Sequence, residues 1–456
     1  MTRFIKNILR FLGFDRAVSF GILARVWSLF SGPITMLVIA TGFSPTQQGF
    51  YFTFSSLLAL QTFFDLGLMF VIAQFASHEF VNLSWGKNGT VAGEPVALKR
   101  FNDLLCKTVL WFGVASLLMM AVLIPAGLIF FGQKGEVAFS WRLPWVLAVA
   151  GTALNLFVMP FFAIIMGSGD VVTVNKRELV AAVLSSFLCW LVIGLGGGLY
   201  AAFAVNLGAL AISWGYLLAR RPELVLLAWR GWFGEERKMR KAQGGLAWWG
   251  EVWPMQWRMA VSSGSAYFIF QLFNPVLFQY HGSVVAGQMG MTLTAANALL
   301  AGSMTVVNAK TPEFGKLIAV RDWEGLDRLF SRVTRHALSL VAVGAAVGFI
   351  AIWQLQEHFA IGRRFIPAGH VALLLGTVCF QALAGSFAAY LRAHKQEPLM
   401  RMTILASLLQ GAGTWYLGKH FASLGVTAGF FAVTAFFVLP YVLIVWRRCR
   451  QEWHTC

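Results

Sequence analysis

The sequence predicts an all-α polytopic membrane protein, with twelve transmembrane helices in two six-helix lobes. Three observations predict it. Of the 456 residues, 58% are hydrophobic and 12% charged, against about 25% charged in soluble domains. Apolar runs recur from end to end, each near the roughly 20 residues needed to cross the hydrocarbon core. A basic stretch, 220–252, divides those runs six and six. A lipid-embedded β-barrel is excluded, because its strands would be short and alternating.

The spans are expected near 16–40, 47–77, 105–131, 143–168, 178–199, 200–219, 253–280, 284–308, 336–356, 366–391, 399–418 and 422–446. The longest intervals between them, 78–104, 220–252 and 309–335, are too short for a separate folded domain. The expected organisation is an N-terminal lobe over 1–219, a basic interfacial linker over 220–252 and a C-terminal lobe over 253–456.

Net charge is +17, and its distribution argues for topology rather than nucleic-acid binding. With the N-terminus in the cytoplasm, 29 of the 36 Lys and Arg residues lie in cytoplasmic segments. Five lie outside (Lys134, Arg142, Arg363, Arg364, Lys419), and Arg25 and Arg258 lie within spans. That bias follows the positive-inside rule and puts both termini in the cytoplasm; the basic surface then faces anionic headgroups of membrane lipids. The opening MTRFIKNILRFLGF lacks the cleavage site of a signal peptide. It groups Arg3, Lys6 and Arg10 on one helical face, as in a short interfacial helix. The 220–252 stretch, rich in Trp and charge, reads similarly.

In helices, residues three and four apart share a face. Span 1 carries Gly21, Arg25, Ser28, Gly32 and Thr35 on one stripe; span 2 carries Gln48, Tyr51, Ser55, Thr62 and Asp65. Span 7 carries Gln256, Ser263, Tyr267, Gln271 and Asn274, and span 8 carries Gly290, Thr294, Asn297, Ala301, Thr305 and Asn308. Spans 3–6 and 9–12 hold isolated polar residues such as Asn155 and Asn206. Two readings stand for these stripes: the lining of a wet chamber, or tight packing through small and hydroxyl residues. Gln271, Asn274, Asn297 and Asp65 favour the first.

Arg25 costs roughly 2.5–3.5 kcal/mol on insertion scales and lies about 14 Å inside the membrane at 1.5 Å per residue. Asp65, on the same arithmetic, is about 20 Å deep. Arg25 is read either as a substrate contact or as the partner of Asp65, and Asp65 either as that partner or as an ion-coupling group. Arg258, just past Pro254, projects about 140° from the stripe of its own helix and either snorkels or reaches a cavity. Pro33 and Pro275 each remove a backbone hydrogen bond, giving hinges or ordinary kinks. Arg25 with Pro33, and Arg258 with Pro275, open the two halves in parallel, which hints at an internal repeat with a site between the halves.

No Walker, GxSxG or HExxH motif is present, the eight His residues show no metal-ligand spacing and the five Cys residues are scattered. No enzyme chemistry, cofactor, metal or disulfide framework is expected.

The stretch GFSPTQQGFYFTFSSLLALQTFFDLGLMFVIAQFASHEF (42–80) resembles the second span of polysaccharide exporters, through Ser44, Pro45, Gly49 and Asp65-Leu66-Gly67-Leu68. TPEFGKLIAVRDWEGLDRLFSRVTR (311–335) is similar to the segment after their eighth span. The family is the MOP exporter superfamily (multidrug, oligosaccharidyl-lipid, polysaccharide). The resemblance implies a MATE-like pair of lobes with the first, second, seventh and eighth helices facing a central cavity. It implies a flippase moving a polyprenyl-pyrophosphate-linked oligosaccharide across a bacterial inner membrane, as in O-antigen and lipopolysaccharide assembly. Arg25 would then contact phosphate. Gln271, Asn274 and Asn297 would bond sugars or water, with Arg258 also in the cavity. Tyr51 and Tyr267 would stack on sugars, and Asp65 would couple an ion. A polysaccharide polymerase and glycosyltransferases are the implied partners. Multidrug relatives typically carry a carboxylate in the first helix, where this chain has Arg25. The alternatives are a multidrug cation exporter and, further off, a membrane glycan ligase or polymerase.

Overall fold

The computed structural model describes residues 16–133, 137–233, 247–394 and 396–454. The interfacial helix expected over 1–14 lies outside them, as does 234–246 of the linker.

The chain is a multi-pass membrane protein, with twelve helical spans among the described residues. Among the described residues, nine helices pass on length and apolarity alone, or ten if Pro45–Asp65 and Leu68–Glu79 count as one interrupted span. One of the nine, Met400–His454, contains two spans. Its helical path is broken at Phe421 and Ala422, where Ala422 takes φ 50°. The seventh span is divided into Trp253–Phe270 and Phe273–His281. The remaining spans are Arg16–Gly42, Pro95–Gly132, Arg142–Gly167, Val171–Gly194, Ala201–Arg220, Ser283–Ala319, Trp323–His358 and Ala368–Ala393.

Three spans outrun their expected limits by about ten residues or more. Pro95–Gly132, Ser283–Ala319 and Trp323–His358 hold 38, 37 and 36 residues, about 55 Å each at 1.5 Å per residue. Their extra turns are charged and amphipathic, so helix continues where the apolar run has ended. A small antiparallel hairpin, β1 (Leu83–Trp85) and β2 (Val91–Gly93), adds strand to the expected all-α fold. Its register pairs Trp85 with Val91.

The chain divides into two compact units, one of Met1–Val38 and Leu57–Gly264, the other of Ile39–Ser56 and Ser265–Cys456. The expected lobes change over in the linker. The units change over inside spans 1, 2 and 7, so 39–56 groups with the C-terminal spans and 253–264 with the N-terminal ones.

In the first unit the core is aromatic and aliphatic, with Phe101, Phe112, Trp145 and Phe161 buried. Asn155 and Asn206, isolated in sequence, meet across spans 4 and 6: Asn155 Nδ2 donates to the Asn206 carbonyl and side-chain oxygens, each at 3.1 Å. In the second unit, Val307, Phe314, Phe330, Val333 and Tyr390 join spans 8, 9 and 10. Large apolar residues such as Phe30, Leu117 and Phe436 are exposed, as expected where lipid replaces water as the solvent of the surface.

Candidate functional site

The expected site residues fall into two groups, one in each unit. In the first unit, the D-L-G-L of span 2 is a break. Thr62–Asp65 ends in Leu66 at φ 54° and Gly67 at φ 65°, both left-handed, before Leu68–Glu79 resumes. A left-handed Leu costs roughly 1–2 kcal/mol, so the surroundings hold the turn in place. Gly67 is required twice over: its φ is positive, and a Cβ there would sit 2.9 Å from Met259 Cβ and 3.1 Å from Ser263 Oγ. The start of span 7 therefore packs directly on the break. Asp65 precedes it. The Met69 N–H bonds its carboxylate, while Oδ1 is buried with no hydrogen-bond partner.

Span 1 binds span 5 through Trp27 Nε1 on Ser186 Oγ (3.3 Å) and Thr35 Oγ1 accepting from Trp190 Nε1 (2.8 Å). Arg25, about 200° round the helix from Trp27 at 3.6 residues per turn, is exposed. It forms no ion pair with Asp65 or any other carboxylate among the described residues. Arg258 is exposed as well, with its guanidinium 5.7 Å from the Trp257 ring centroid. Pro33 sits in the uninterrupted helix Arg16–Gly42.

In the second unit, the S-P-x-x-x-G turn is explained residue by residue. Ser44 and Gln47 form a reciprocal capping box: Ser44 N–H donates to Gln47 Oε1 (2.9 Å) and Gln47 N–H to Ser44 Oγ (3.1 Å). Pro45 opens the helix, where its missing N–H costs nothing. Gly49 permits backbone contact with span 8, since a Cβ there would meet the Ser283 carbonyl oxygen at 1.9 Å. Gln48, fully buried, donates from Nε2 to the carbonyls of Gly287 (2.8 Å) and Arg364 (3.1 Å). Arg364 donates in turn to the Phe43 carbonyl (2.6 Å), and burial lowers the pKa of its guanidinium. This clasp of Gln48, Arg364 and Phe43 was not foreseen. The Arg363-Arg364 pair in a short outer loop was its only signal.

Asn274 is buried, donating from Nδ2 to Ser56 Oγ (3.0 Å), and its Oδ1 has no partner. Tyr51 is buried edge-on to Phe43 and Phe52, with ring centroids 5.6 Å away in each case. Tyr267 is buried beside Phe268. Gln271 lies in the gap between Trp253–Phe270 and Phe273–His281, four residues before Pro275, whose missing N–H leaves the Gln271 carbonyl without its helical donor. Asn297 is exposed on span 8. Of the amides and aromatics expected to meet substrate, Asn297 is thus exposed and Gln271 partly so, while Asn274, Tyr51 and Tyr267 are buried.

Among the described residues, the first unit offers a cation without an ion pair and a carboxylate with one unsatisfied oxygen, and the second offers an exposed amide and a buried amide whose oxygen lacks a partner. Among the described residues, no group of three or more His, Cys, Asp or Glu is placed to hold a metal ion.

No protein-family model and no curated protein matches the chain. Solved structures do. A multidrug resistance MATE family transporter of the MOP superfamily, in an inward-facing conformation, is similar with a TM-score of 0.62 and 13% identity, over 96% of this chain and 98% of that one. The lipid II flippase MurJ, in an inward closed conformation, is similar with a TM-score of 0.58 and 11% identity, over 96% and 90%. A MOP superfamily transporter from Pyrococcus furiosus, described by the reverse polarity of its binding pocket, gives a TM-score of 0.53 and 14% identity, over 96% and 95%. At these identities the likeness concerns the fold: the chain has the fold of the MOP superfamily transporters.

Proposed function

We propose that the protein is an alternating-access transporter that moves a polyprenyl-pyrophosphate-linked oligosaccharide between the leaflets of a bacterial inner membrane, with both termini in the cytoplasm. The fold is shared with transporters, one of which is a lipid II flippase. The observation that carries the substrate class is Arg25, an exposed guanidinium inside an apolar span with no carboxylate partner among the described residues. Its natural complement is an anionic phosphate, bound by charge-assisted, bidentate hydrogen bonds. Asn297 and Gln271 supply neutral hydrogen bonding of the kind sugars accept. The charge bias of the loops supports the sidedness.

The test is transport of labelled polyprenyl-linked glycan by the protein reconstituted in vesicles. Arg25→Ala inserts normally and loses transport; Arg25→Lys recovers part of it, since Lys keeps the charge without the planar fork. Full transport by Arg25→Ala overturns the assignment. Asp65 supports a second reading, a multidrug cation exporter, because its Oδ1 is buried and unpaired. Cation efflux that disappears in Asp65→Asn, with no glycan transport by the unaltered protein, selects that reading.

A further inference from the structure

The first unit contains a second polar feature, separate from the residues discussed so far. A cleft of about 580 Å³ opens between the β1–β2 hairpin, the start of span 5 and the end of span 6. Its size falls within the ordinary range of small-ligand sites, about 300–1,000 Å³. Four cations line it: Lys176, Arg177, Arg220 and Arg221. They come from two distant stretches of chain, so the cluster is assembled by folding and is not a run of charge.

The lining contains one carboxylate, Asp170, and it is already engaged. Oδ1 accepts the Thr173 N–H at 3.3 Å, and Oδ2 pairs with Arg221 Nη2 at 3.3 Å. Lys176, Arg177 and Arg220 form no ion pair among the described residues, with the neighbouring Glu178 the one carboxylate whose charge acts on Arg177. Two of the arginines are held rigidly. The Arg221 guanidinium lies 4.0 Å from the Trp85 ring centroid, and that indole is fixed by donating to Ser168 Oγ at 2.8 Å. Arg177 stacks 4.3 Å from the Phe162 ring centroid and donates from Nε to Ser213 Oγ at 3.1 Å. The terminal nitrogens of Arg177 have no protein partner among the described residues. Lys176 and Arg220 are exposed at the cleft.

Rigid guanidinium forks beside exposed cations, in a cleft at helix ends, match the chemistry of a phosphate group. Basic clefts at the cytoplasmic ends of membrane helices take phosphorylated headgroups for the same reason. We propose that this cleft binds a phosphate group, carried either by an anionic lipid or by a soluble phosphorylated molecule. The site is independent of Arg25 and of the transport reading.

The test uses the full-length protein and two probes. Native mass spectrometry titrates the delipidated protein with phosphatidylglycerol, and calorimetry titrates it with inorganic pyrophosphate. The site variant is Lys176→Gln with Arg220→Gln, both exposed side chains whose loss leaves packing intact. The control is Arg328→Gln with Arg332→Gln, equally exposed and outside the cleft. At least one probe binds, and the site variant weakens it about tenfold or more, as expected for losing charge-assisted hydrogen bonds, while the control and Arg25→Ala bind as the unaltered protein does. Binding of the lipid alone identifies a headgroup site, and binding of pyrophosphate alone a soluble ligand. If neither probe binds, or the control weakens binding as much as the site variant, the proposal is overturned.

Discussion

At the scale of single residues, the structure separates groups that hold the protein together from groups left exposed. Asn274 bonds Ser56 inside the second unit, so Asn274→Ala lowers stability by about 0.6 kcal/mol, the average for hydrogen bonds between membrane helices, read as a lower Tm in detergent. Gly49 and Gly32 make a paired test of close approach. A Cβ at Gly49 collides with the Ser283 carbonyl, whereas nothing lies within 4 Å of one at Gly32. Gly49→Ala therefore costs about 1–3 kcal/mol through overpacking, and Gly32→Ala leaves Tm at or above its starting value. Equal Tm values for the two would contradict the backbone contact. The sequence foretold which residues share a face but not which faces are covered. Helical spacing put Tyr51, Tyr267 and Asn274 on polar stripes, and packing then buried them. Arg25 and Asn297 lie on the same kind of stripe and remain exposed. Periodicity fixes direction around a helix axis, and only a neighbouring helix decides what that direction meets.

At the scale of elements, apolar length located the spans well, because a run near 20 residues has few other uses. It was silent about the breaks. Asp65-Leu66-Gly67-Leu68 reads as continuous apolar helix apart from its Asp and Gly, yet two left-handed residues interrupt it. What the break leaves room for is the close approach of Met259 and Ser263, distant in sequence. Span 7 is the contrasting case: Pro275 announced a break, and the gap stands four residues upstream, where its absent N–H is felt. Pro33 announced one too, but the helix continues through it. Pro275→Ala restores the missing donor and is expected to close the gap, giving slower amide hydrogen exchange over 271–276 and slower transport. Unchanged exchange there would show that the gap does not depend on the proline. The helical extensions and the hairpin escaped notice because hydropathy alone does not report charged helix or short strands.

The start of span 7 has its own anchor. Arg100 bridges Glu79 and Glu251, at 2.7 Å to each. The Ala247 N–H and the Arg100 guanidinium hold the Glu251 carboxyl below the usual carboxylate range. A carboxyl with a lowered folded pKa contributes stability above its unfolded pKa and loses it as pH falls through the folded value. The anchor therefore contributes fully at neutral pH, and its contribution is lost as pH falls below the ordinary carboxylate range through the lowered folded value. Glu251→Gln removes this acid-dependent component, which a Tm series against pH would reveal as a flatter acidic limb.

For the whole molecule, fold class followed from composition and span count from the apolar runs, and similarity to solved MOP transporters agrees with the fold class. The grouping of the chain into units did not follow from the loops. Spans 1, 2 and 7 each contribute to both units, which sequence order alone does not express. These are three of the four spans that carry polar stripes.

The central claim is that Arg25 faces a hydrated space that accepts an anionic, phosphate-linked glycan. Arg25→Cys in a cysteine-free background, treated with a membrane-impermeant thiol reagent in inside-out vesicles, tests it most directly. The prediction is rapid labelling that polyprenyl-pyrophosphate-linked glycan suppresses. A position that stays unlabelled, or that labels equally fast with saturating glycan, would contradict it.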